Sequence, residues 1–248
     1  MENKGCKLIC IGSSSLGNSY AIDSGSEILL LEAGCKMAEV KKHIDFRLSD
    51  VVGCIVTHRH GDHAKYAVEY AKSGVKMYGN EDLCDYKSFP YGTFTILRGA
   101  KVKIGSFGVM PFENFHDVPI FGYIIYHKEM GSLLFSTDSY KLPAVITNVD
   151  HFLIEANYAD ALLKQNVWDG KINKAQADRI MLSHMSLDYT VKYLRDCDAQ
   201  KSRTIILCHL SSRHSNPDQF KSTVAGAFGV PTYIAQKGVV VELYKDII

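Results

Sequence analysis

The chain has 248 residues, a formal net charge of +1 and 46% hydrophobic residues. This length and apolar content fit a globular protein that can bury a sizeable core. The near-neutral charge argues against a protein whose main task is to grip long nucleic acid, although a local basic patch can hide in a neutral total.

The seven cysteines include no Cys-x-x-Cys pair, and several lie in apolar runs such as KLICIG and TIILCH. Thiols in such runs pack as small hydrophobic groups, so we expect reduced, structural cysteines. We find no long apolar segment typical of a signal peptide and no apolar run long enough to cross a bilayer. We therefore expect a soluble, cytoplasmic protein.

No repeat or Pro/Gly/Ser-rich linker divides the chain, so we expect one domain over residues 1–248. The first third contains the predicted strands KLICIG, SYAID and EILLLEA, with the turn-rich GSSSLGNS between the first two. A charged helical stretch near 36–45 precedes VVGCIVT, whose continuous apolar character predicts a buried strand. The segment HAKYAVEYAKSG then has helical spacing.

The middle of the chain is rich in predicted strands, namely FTILRG, KVKIG, FGVMPFEN, FGYIIYH, GSLLFSTD and HFLIEAN. Helices are predicted near 160–166 and 187–197, followed by the strand RTIILCH. Asn216 and Pro217 predict the start of a helix that runs to about Ala227, with TYIAQ and VVVEL as final strands. Two strand-rich halves with interspersed helices predict two packed sheets covered by helices.

The strongest chemical signal is T-H-R-H-G-D-H over residues 57–63, between a predicted strand and a predicted helix. His58 and His60 point the same way in an extended segment, because side chains alternate with a period of two. The following turn lets Asp62 and His63 approach from another side. Imidazoles and carboxylates are good ligands for Zn, Mn or Fe. A His-rich polar loop without metal is the alternative, which the specific spacing disfavours.

Four ligands on one loop cannot close two metal sites, so further ligands must come from distant parts of the chain. His116, Asp138 and His209 each lie at the end of a predicted strand. Functional residues gather in such loops on a rigid scaffold. Taken alone, each is more often a solvated or capping residue, and the metal motif is what makes them candidate ligands.

The motifs GSSSLGNS, LLLEAG, VTHRHGDH, HDVPIFGY, FSTD, LIEAN, SHMS and CHLS occur in this order from Gly12 to about Asn216. In these motifs the chain resembles the metallo-β-lactamase superfamily, and within it the WalJ (YycJ) nucleases and the ribonuclease Z branch. The resemblance implies an α/β fold, a four-layer αββα metallo-β-lactamase sandwich of two mixed sheets flanked by helices. Glu32, where the family often has Asp, and Leu16, which interrupts the commoner G-S-S-G-N-S, depart from the pattern.

The resemblance also implies how the ligands divide between two divalent metal ions. One ion would be held by His58, His60 and His116, the other by Asp62, His63 and His209, with Asp138 as the bridge. We expect Zn, with Mn as an alternative, because His and Asp ligands suit both. A bound metal lowers the pKa of water toward about 7, which supplies a nucleophile at neutral pH. Asp62 is expected to orient that water as well as to ligate.

Ribonuclease Z-like enzymes use a Glu and a His outside the metal ligands, and Glu155 and His184 match those positions. A carboxylate beside an imidazole favours the protonated His. His184 is therefore the candidate general acid and Glu155 its orienting partner. Alternatively, Glu155 caps a strand end and His184 merely precedes a helix capped by Ser186. Ser186 and Ser211 are also candidate substrate-binding residues.

We therefore expect a metal-dependent phosphodiesterase. A small cyclic nucleotide is the favoured substrate, because the chain resembles compact phage-borne anti-Pycsar relatives that destroy cyclic nucleotide signals of bacterial immunity. It resembles them in size, in near-neutral charge and in lacking a tRNA-gripping arm. The alternative is a WalJ-type DNA or RNA nuclease with 5′-3′ exonuclease activity, which the motifs fit equally well.

Two further alternatives are less favoured. In a thioester or lactam hydrolase the Glu155 and His184 pair has no obvious role, and a metal-binding module would lack catalysis altogether. Family likeness alone suggests a homodimer. We expect the protein in the cytoplasm of a bacterium or of a phage-infected host.

Overall fold

The computed structural model describes residues 5–245 of the chain. In chain order the strands are β1 Cys6–Gly12, β2 Ser19–Asp23, β3 Ile28–Leu31, β4 Val51–Ile55, β5 Met77–Gly79, β6 Phe94–Ile96, β7 Val102–Ile104, β8 Phe107–Glu113, β9 Phe121–His127, β10 Gly131–Ser136, β11 His151–Glu155, β12 Thr204–Cys208, β13 Thr232–Ile234 and β14 Val240–Leu243. The helices are α1 Met37–His43, α2 Gly61–Ala64, α3 Ala67–Lys72, α4 Glu81–Tyr86, α5 Asp160–Trp168, α6 Lys174–Ser183, α7 Leu187–Asp196 and α8 Pro217–Phe228.

The strands form two mixed sheets of seven strands each. The first has the order β14-β1-β2-β3-β4-β5-β6, and the second has the order β13-β12-β11-β10-β9-β8-β7. In the first sheet β3 to β6 pair in parallel, and in the second β10 to β13 do so. Parallel neighbours bring their carboxyl ends to the same edge of a sheet. The residues that follow β3, β4, β10, β11 and β12 are therefore gathered at sheet edges.

The apolar core has three layers, which places helices on both outer faces of the paired sheets. Between the sheets the rings of Tyr20 and Phe135 pack edge to face, with centroids 5.9 Å apart. On the outer face of the first sheet a second cluster includes Val40 of α1 and Tyr70 of α3. On the outer face of the second sheet a third cluster includes residues of α7 and α8. The expected αββα sandwich of two mixed sheets is confirmed.

The segment HAKYAVEYAKSG, expected to be one helix, is divided into α2 and α3. The backbone N–H of Tyr66 donates to the carbonyl of Ala33 over 2.9 Å, and Ala33 N–H donates to His63 O over 2.7 Å. These bonds to the residues after β3 replace helical ones at this point. The interruption therefore connects the loop of residues 57–63, here called the metal-motif loop, to the end of the neighbouring strand β3 by hydrogen bonds. The other differences are β5, α4 and α6, which the sequence did not predict.

All seven cysteines are free thiols. Burial raises the pKa of Cys10 to about 12, so this thiol stays protonated and packs as a hydrophobic group. No helix within residues 5–245 is long and apolar enough to span a membrane.

Candidate metal centre

The backbone turns sharply after three strands that end at the candidate site. Glu32, Asp138 and His209 have positive φ angles of 64°, 49° and 53°. All three are buried polar residues, following β3, β10 and β12. A non-glycine residue in this region costs on the order of 1–3 kcal/mol and persists where the surrounding structure enforces it, often at functional sites. Three of the seven non-glycine residues with positive φ within residues 5–245 therefore lie at strand ends of the candidate site.

The first cluster of candidate ligands contains three histidines. His58, His60 and His116 offer ring nitrogens within 4.8 Å of one another. His58 Nδ1 lies 2.9 Å from Thr57 Oγ1, whereas its buried Nε2 has no hydrogen-bond partner among residues 5–245. Leaving a buried nitrogen unpaired is costly, and metal ligation would satisfy it. The histidines therefore fit a metal ion.

The second cluster combines two carboxylates and two imidazoles. Asp62, His63, Asp138 and His209 offer ligand atoms within 4.8 Å of one another. Asp138 Oδ1 lies 3.3 Å from His63 Nε2 and 3.2 Å from His209 Nδ1. Asp138 Oδ2 also lies 3.9 Å from His58 Nε2, so this carboxylate stands between the two clusters. That position suits the predicted bridging role.

The electrostatics of this cluster favour added cations. Burial alone would lower the pKa of His209, but Asp138, Asp62 and Glu155 raise it to about 10. Burial likewise opposes the rise in the pKa of His63, which is caused mainly by Asp138 and Glu32. For Asp62, burial would raise the pKa, yet His209 and His63 hold it well below its usual range. The Asp62 carboxylate thus stays ionised, and a divalent cation could neutralise it.

Two side chains contact the imidazole of His63, one at each ring nitrogen. Glu32 is fully buried, and its Oε1 lies 3.4 Å from His63 Nδ1. Asn18 Nδ2 lies 3.1 Å from His63 Nε2, and Asn18 N–H donates to Asp62 O over 2.7 Å. The Gly12–Asn18 loop therefore packs as a tight turn beneath the metal-motif loop. Gly34 allows this approach, since a Cβ there would collide with Asp62 O.

Glu155 and His184 adjoin the second cluster. Glu155 Oε1 lies 2.7 Å from His184 Nδ1 and 3.0 Å from His209 Nδ1. Burial alone would lower the pKa of His184, but the Glu155 carboxylate raises it. A set of ligand atoms within 4.8 Å also joins Asp138, Glu155, His184 and His209. The pair therefore lies close enough to act on a substrate held by metals, and close enough to be metal ligands instead.

A pocket of about 240 Å³ opens over the candidate ligands. Its wall includes His60, Asp62, His116, Asp138, His184 and His209. The candidate substrate-binding residues Ser186 and Ser211 are not part of this wall. Ser186 instead caps α7 by accepting from Tyr189 N–H, as the alternative interpretation of this segment expected.

Several polar neighbours of the site were not predicted. Asp117 Oδ1 lies 3.1 Å from His116 Nε2 and 3.5 Å from His60 Nε2. Asn157 Nδ2 donates to the carbonyl of His209 over 2.8 Å. Both lie within the motifs HDVPIFGY and LIEAN, whose polar residues were the available signal. Arg179 lines the pocket from α6, and no motif marked it.

No protein-family model matches the chain. Curated relatives do match most of it. The exodeoxyribonuclease WalJ of Streptococcus pneumoniae is 24% identical over 237 residues, which cover 87% of this chain and 85% of the relative. The exodeoxyribonuclease YycJ of Bacillus anthracis is 25% identical over 217 residues, which cover 81% of each protein. Together with the candidate ligands, these hydrolase names support the prediction of a metal-dependent hydrolase.

Solved structures resemble the chain over nearly its whole length. The metallo-β-lactamase fold protein YhfI from Bacillus subtilis has a TM-score of 0.74 at 18% identity, covering 96% of this chain and 99% of YhfI. Zn²⁺-bound PqqB from Methylobacterium extorquens has a TM-score of 0.70 at 13% identity, covering 96% and 100%. The short form of human tRNase Z has a TM-score of 0.61 at 14% identity, covering 96% and 99%. The chain therefore has the metallo-β-lactamase fold.

Proposed function

We propose that the chain is a phosphodiesterase that works with two divalent metal ions. The observation that carries this proposal is the meeting of two clusters of ligand atoms, one of three and one of four residues, beside the Glu155–His184 pair. His58, His60 and His116 would hold one ion, and Asp62, His63 and His209 the other, with Asp138 between them. When bound, such ions supply positive charge for the phosphate and a water of lowered pKa. We propose Zn first and Mn second.

The protein's own groups would then handle the protons. Hydrolysis forms a bond from phosphorus to a water oxygen and breaks the bond to the leaving oxygen, which needs a proton. With Nδ1 engaged by Glu155, the Nε2 of His184 is the nitrogen free to donate that proton into the pocket. The fully buried Glu155 side chain lies beside the imidazole of His184 and would keep this ring oriented and protonated. Asp62 would orient the attacking water.

We propose linear DNA as the first substrate class, because the curated relatives WalJ and YycJ, both named as exodeoxyribonucleases, match over most of this chain. A small cyclic nucleotide, the class first expected from the sequence, remains the second candidate. It is favoured by the net charge of +1 and by the modest pocket of about 240 Å³. A role in phage anti-defence would follow only from the second class.

The thioester or lactam alternative leaves the Glu155–His184 contact without a role. A homodimer stays a prediction, and light scattering that shows a monomer at micromolar concentration would contradict it.

The decisive test is a substrate panel with added Zn or Mn: linear DNA, pre-tRNA, cyclic mononucleotides and cyclic dinucleotides. We expect turnover of linear DNA or of a cyclic nucleotide by the wild-type protein. The variant carrying His58→Ala and His60→Ala should lose that turnover. Unchanged activity in this variant would favour a metal-binding module whose activity has another source.

A further inference from the structure

A second pocket adjoins the one over the candidate ligands. It has a volume of about 590 Å³, compared with about 240 Å³ for the first. The two share four wall residues, namely His116, Asp117, Arg179 and Ser183. The second pocket does not include Asp62, Asp138 or His209 in its wall. A molecule bound over the candidate metal ligands could therefore extend into it along α6.

One face of α6 forms the wall of the second pocket. The lining residues of the helix, at positions 175, 178, 179, 182 and 183, recur with the spacing of one helical face. The opposite side of the helix places Ala177 and Ile180 against Tyr158, Leu163 and Ile172. Leu182 remains 66% exposed on the pocket side. The wall thus offers the apolar side chain of Leu182 beside the guanidinium group of Arg179.

Arg179 is the one Lys or Arg residue in the walls of both pockets. Within residues 5–245 its guanidinium makes no ion pair within 4.0 Å, although Asp117 and Asp178 line the same pocket. A planar guanidinium can bind phosphate oxygens through two parallel hydrogen bonds, which a point charge cannot do. A free guanidinium at this position is therefore suited to a phosphate group.

The position of His184 decides which part of a substrate this pocket would take. His184 directly follows α6, five positions after Arg179. Under the proposed function it protonates the leaving oxygen, so the leaving part of the substrate lies next to this end of the helix. The second pocket continues from there along the same helix.

We propose that the second pocket is a subsite for the nucleotide on the leaving side of the cleaved bond, and that Arg179 binds the next phosphate of that nucleotide. This inference rests on the proposed phosphodiesterase function. It specifies a substrate with at least two phosphates, such as a DNA strand. A cyclic mononucleotide has a single phosphate and leaves Arg179 without a ligand.

Steady-state kinetics of the zinc-loaded protein test this with three thymidine dinucleotides: TpT, pTpT and TpTp. The wild-type protein should have a lower KM for one of the two phosphorylated dinucleotides than for TpT. Arg179→Gln should raise that KM about tenfold or more, as expected for a lost charge-assisted hydrogen bond, with kcat and the KM for TpT little changed. Arg195→Gln, on the exposed surface of α7, is the matched control and should leave kcat and KM unchanged for all three dinucleotides.

Equilibrium binding of a short DNA strand provides a second readout. Arg179→Gln should reduce the slope of log Kd against log salt by about one, since one phosphate contact is lost.

The outcomes separate the two proposals. If the wild-type protein hydrolyses none of the dinucleotides and no member of the wider panel, the proposed function falls and the subsite with it. If it hydrolyses them but Arg179→Gln leaves every KM unchanged, the subsite alone is wrong. An equal rise in KM for TpT would place Arg179 on the cleaved phosphate and would also overturn the subsite.

Discussion

Glu155 and His184 are 29 positions apart in the sequence, yet Glu155 Oε1 and His184 Nδ1 are only 2.7 Å apart. The helices α5 and α6 lie between them in the chain and return it to the same edge of the second sheet. Glu155 Oε2 also accepts from the backbone N–H groups of Ser139 and Met185, over 3.2 and 3.3 Å. The carboxylate is therefore fixed on both oxygens, and His184 is held in one orientation.

His184→Ala should slow hydrolysis of linear DNA by roughly 10²–10⁴-fold, the usual effect of losing a general acid. Two zinc ions should remain bound, because His184 is outside the proposed ligand set. The effect should be much smaller with bis(p-nitrophenyl) phosphate, whose leaving group departs without a proton. Turnover numbers for both substrates, with metal content from elemental analysis, check this. Loss of zinc from the variant would make His184 a ligand, which its closeness to Asp138 and His209 also permits.

Apolar runs in the sequence predicted most strands, and the T-H-R-H-G-D-H spacing indicated a candidate metal site. The αββα sandwich and the division of the candidate ligands between two ions were predicted from the family resemblance. The sequence did not predict α6, whose ten residues carry few buried side chains, or the role of Arg179 on it. The sequence of α6 contains no motif, and Arg179 comes near His116 only through tertiary packing. The break between α2 and α3 was likewise invisible, since it depends on a backbone bond to Ala33.

Glu32→Gln should weaken zinc binding at the second cluster by about 10–100-fold, the usual effect of losing the partner of a metal-binding histidine. Glu32 Oε1 lies 3.4 Å from His63 Nδ1, and this buried carboxyl group is the neighbour that helps to orient the ring. Zinc titration with a competing chelator measures the affinity. The same substitution at the exposed Glu242 is the control and should leave the affinity unchanged. Equal affinities in the wild-type protein and Glu32→Gln would contradict this role.

His58→Ala should reduce the zinc content from two ions toward one per chain. The side chain is fully buried, and its Nε2 has no hydrogen-bond partner among the described residues. Elemental analysis after dialysis gives the metal content. His43→Ala is the matched control, since His43 lies on α1 with its Nδ1 near Glu39 O, and it should keep both ions. Two ions retained in His58→Ala would remove this histidine from the ligand set.

His151 should make the folded protein sensitive to acid. Burial lowers the pKa of His151 to about 4, and its Nε2 lies 3.0 Å from Met130 O. The unfolded chain binds a proton at a higher pH than the folded one, so stability falls as pH drops from about 6.5 toward 4. At pH 5 this group should cost about 2 kcal/mol of the free energy of unfolding.

His151→Gln cannot bind that proton, so its stability should fall less between pH 7.5 and pH 5 than that of the wild-type protein. Urea unfolding of the two proteins at both pH values gives the difference. Metal ligands titrate in both proteins and cancel in this comparison. Parallel losses in the two proteins would show that His151 does not contribute.

Two metal ions should be held at the rim where strands of both sheets end. Anomalous diffraction at the zinc absorption edge, from crystals grown with zinc, would locate them. We expect two strong peaks: one within bonding distance of His58, His60 and His116, the other of Asp62, His63 and His209, with Asp138 contacting both. Crystals with no zinc peak among these side chains would show that the chain does not hold the proposed pair of metal ions.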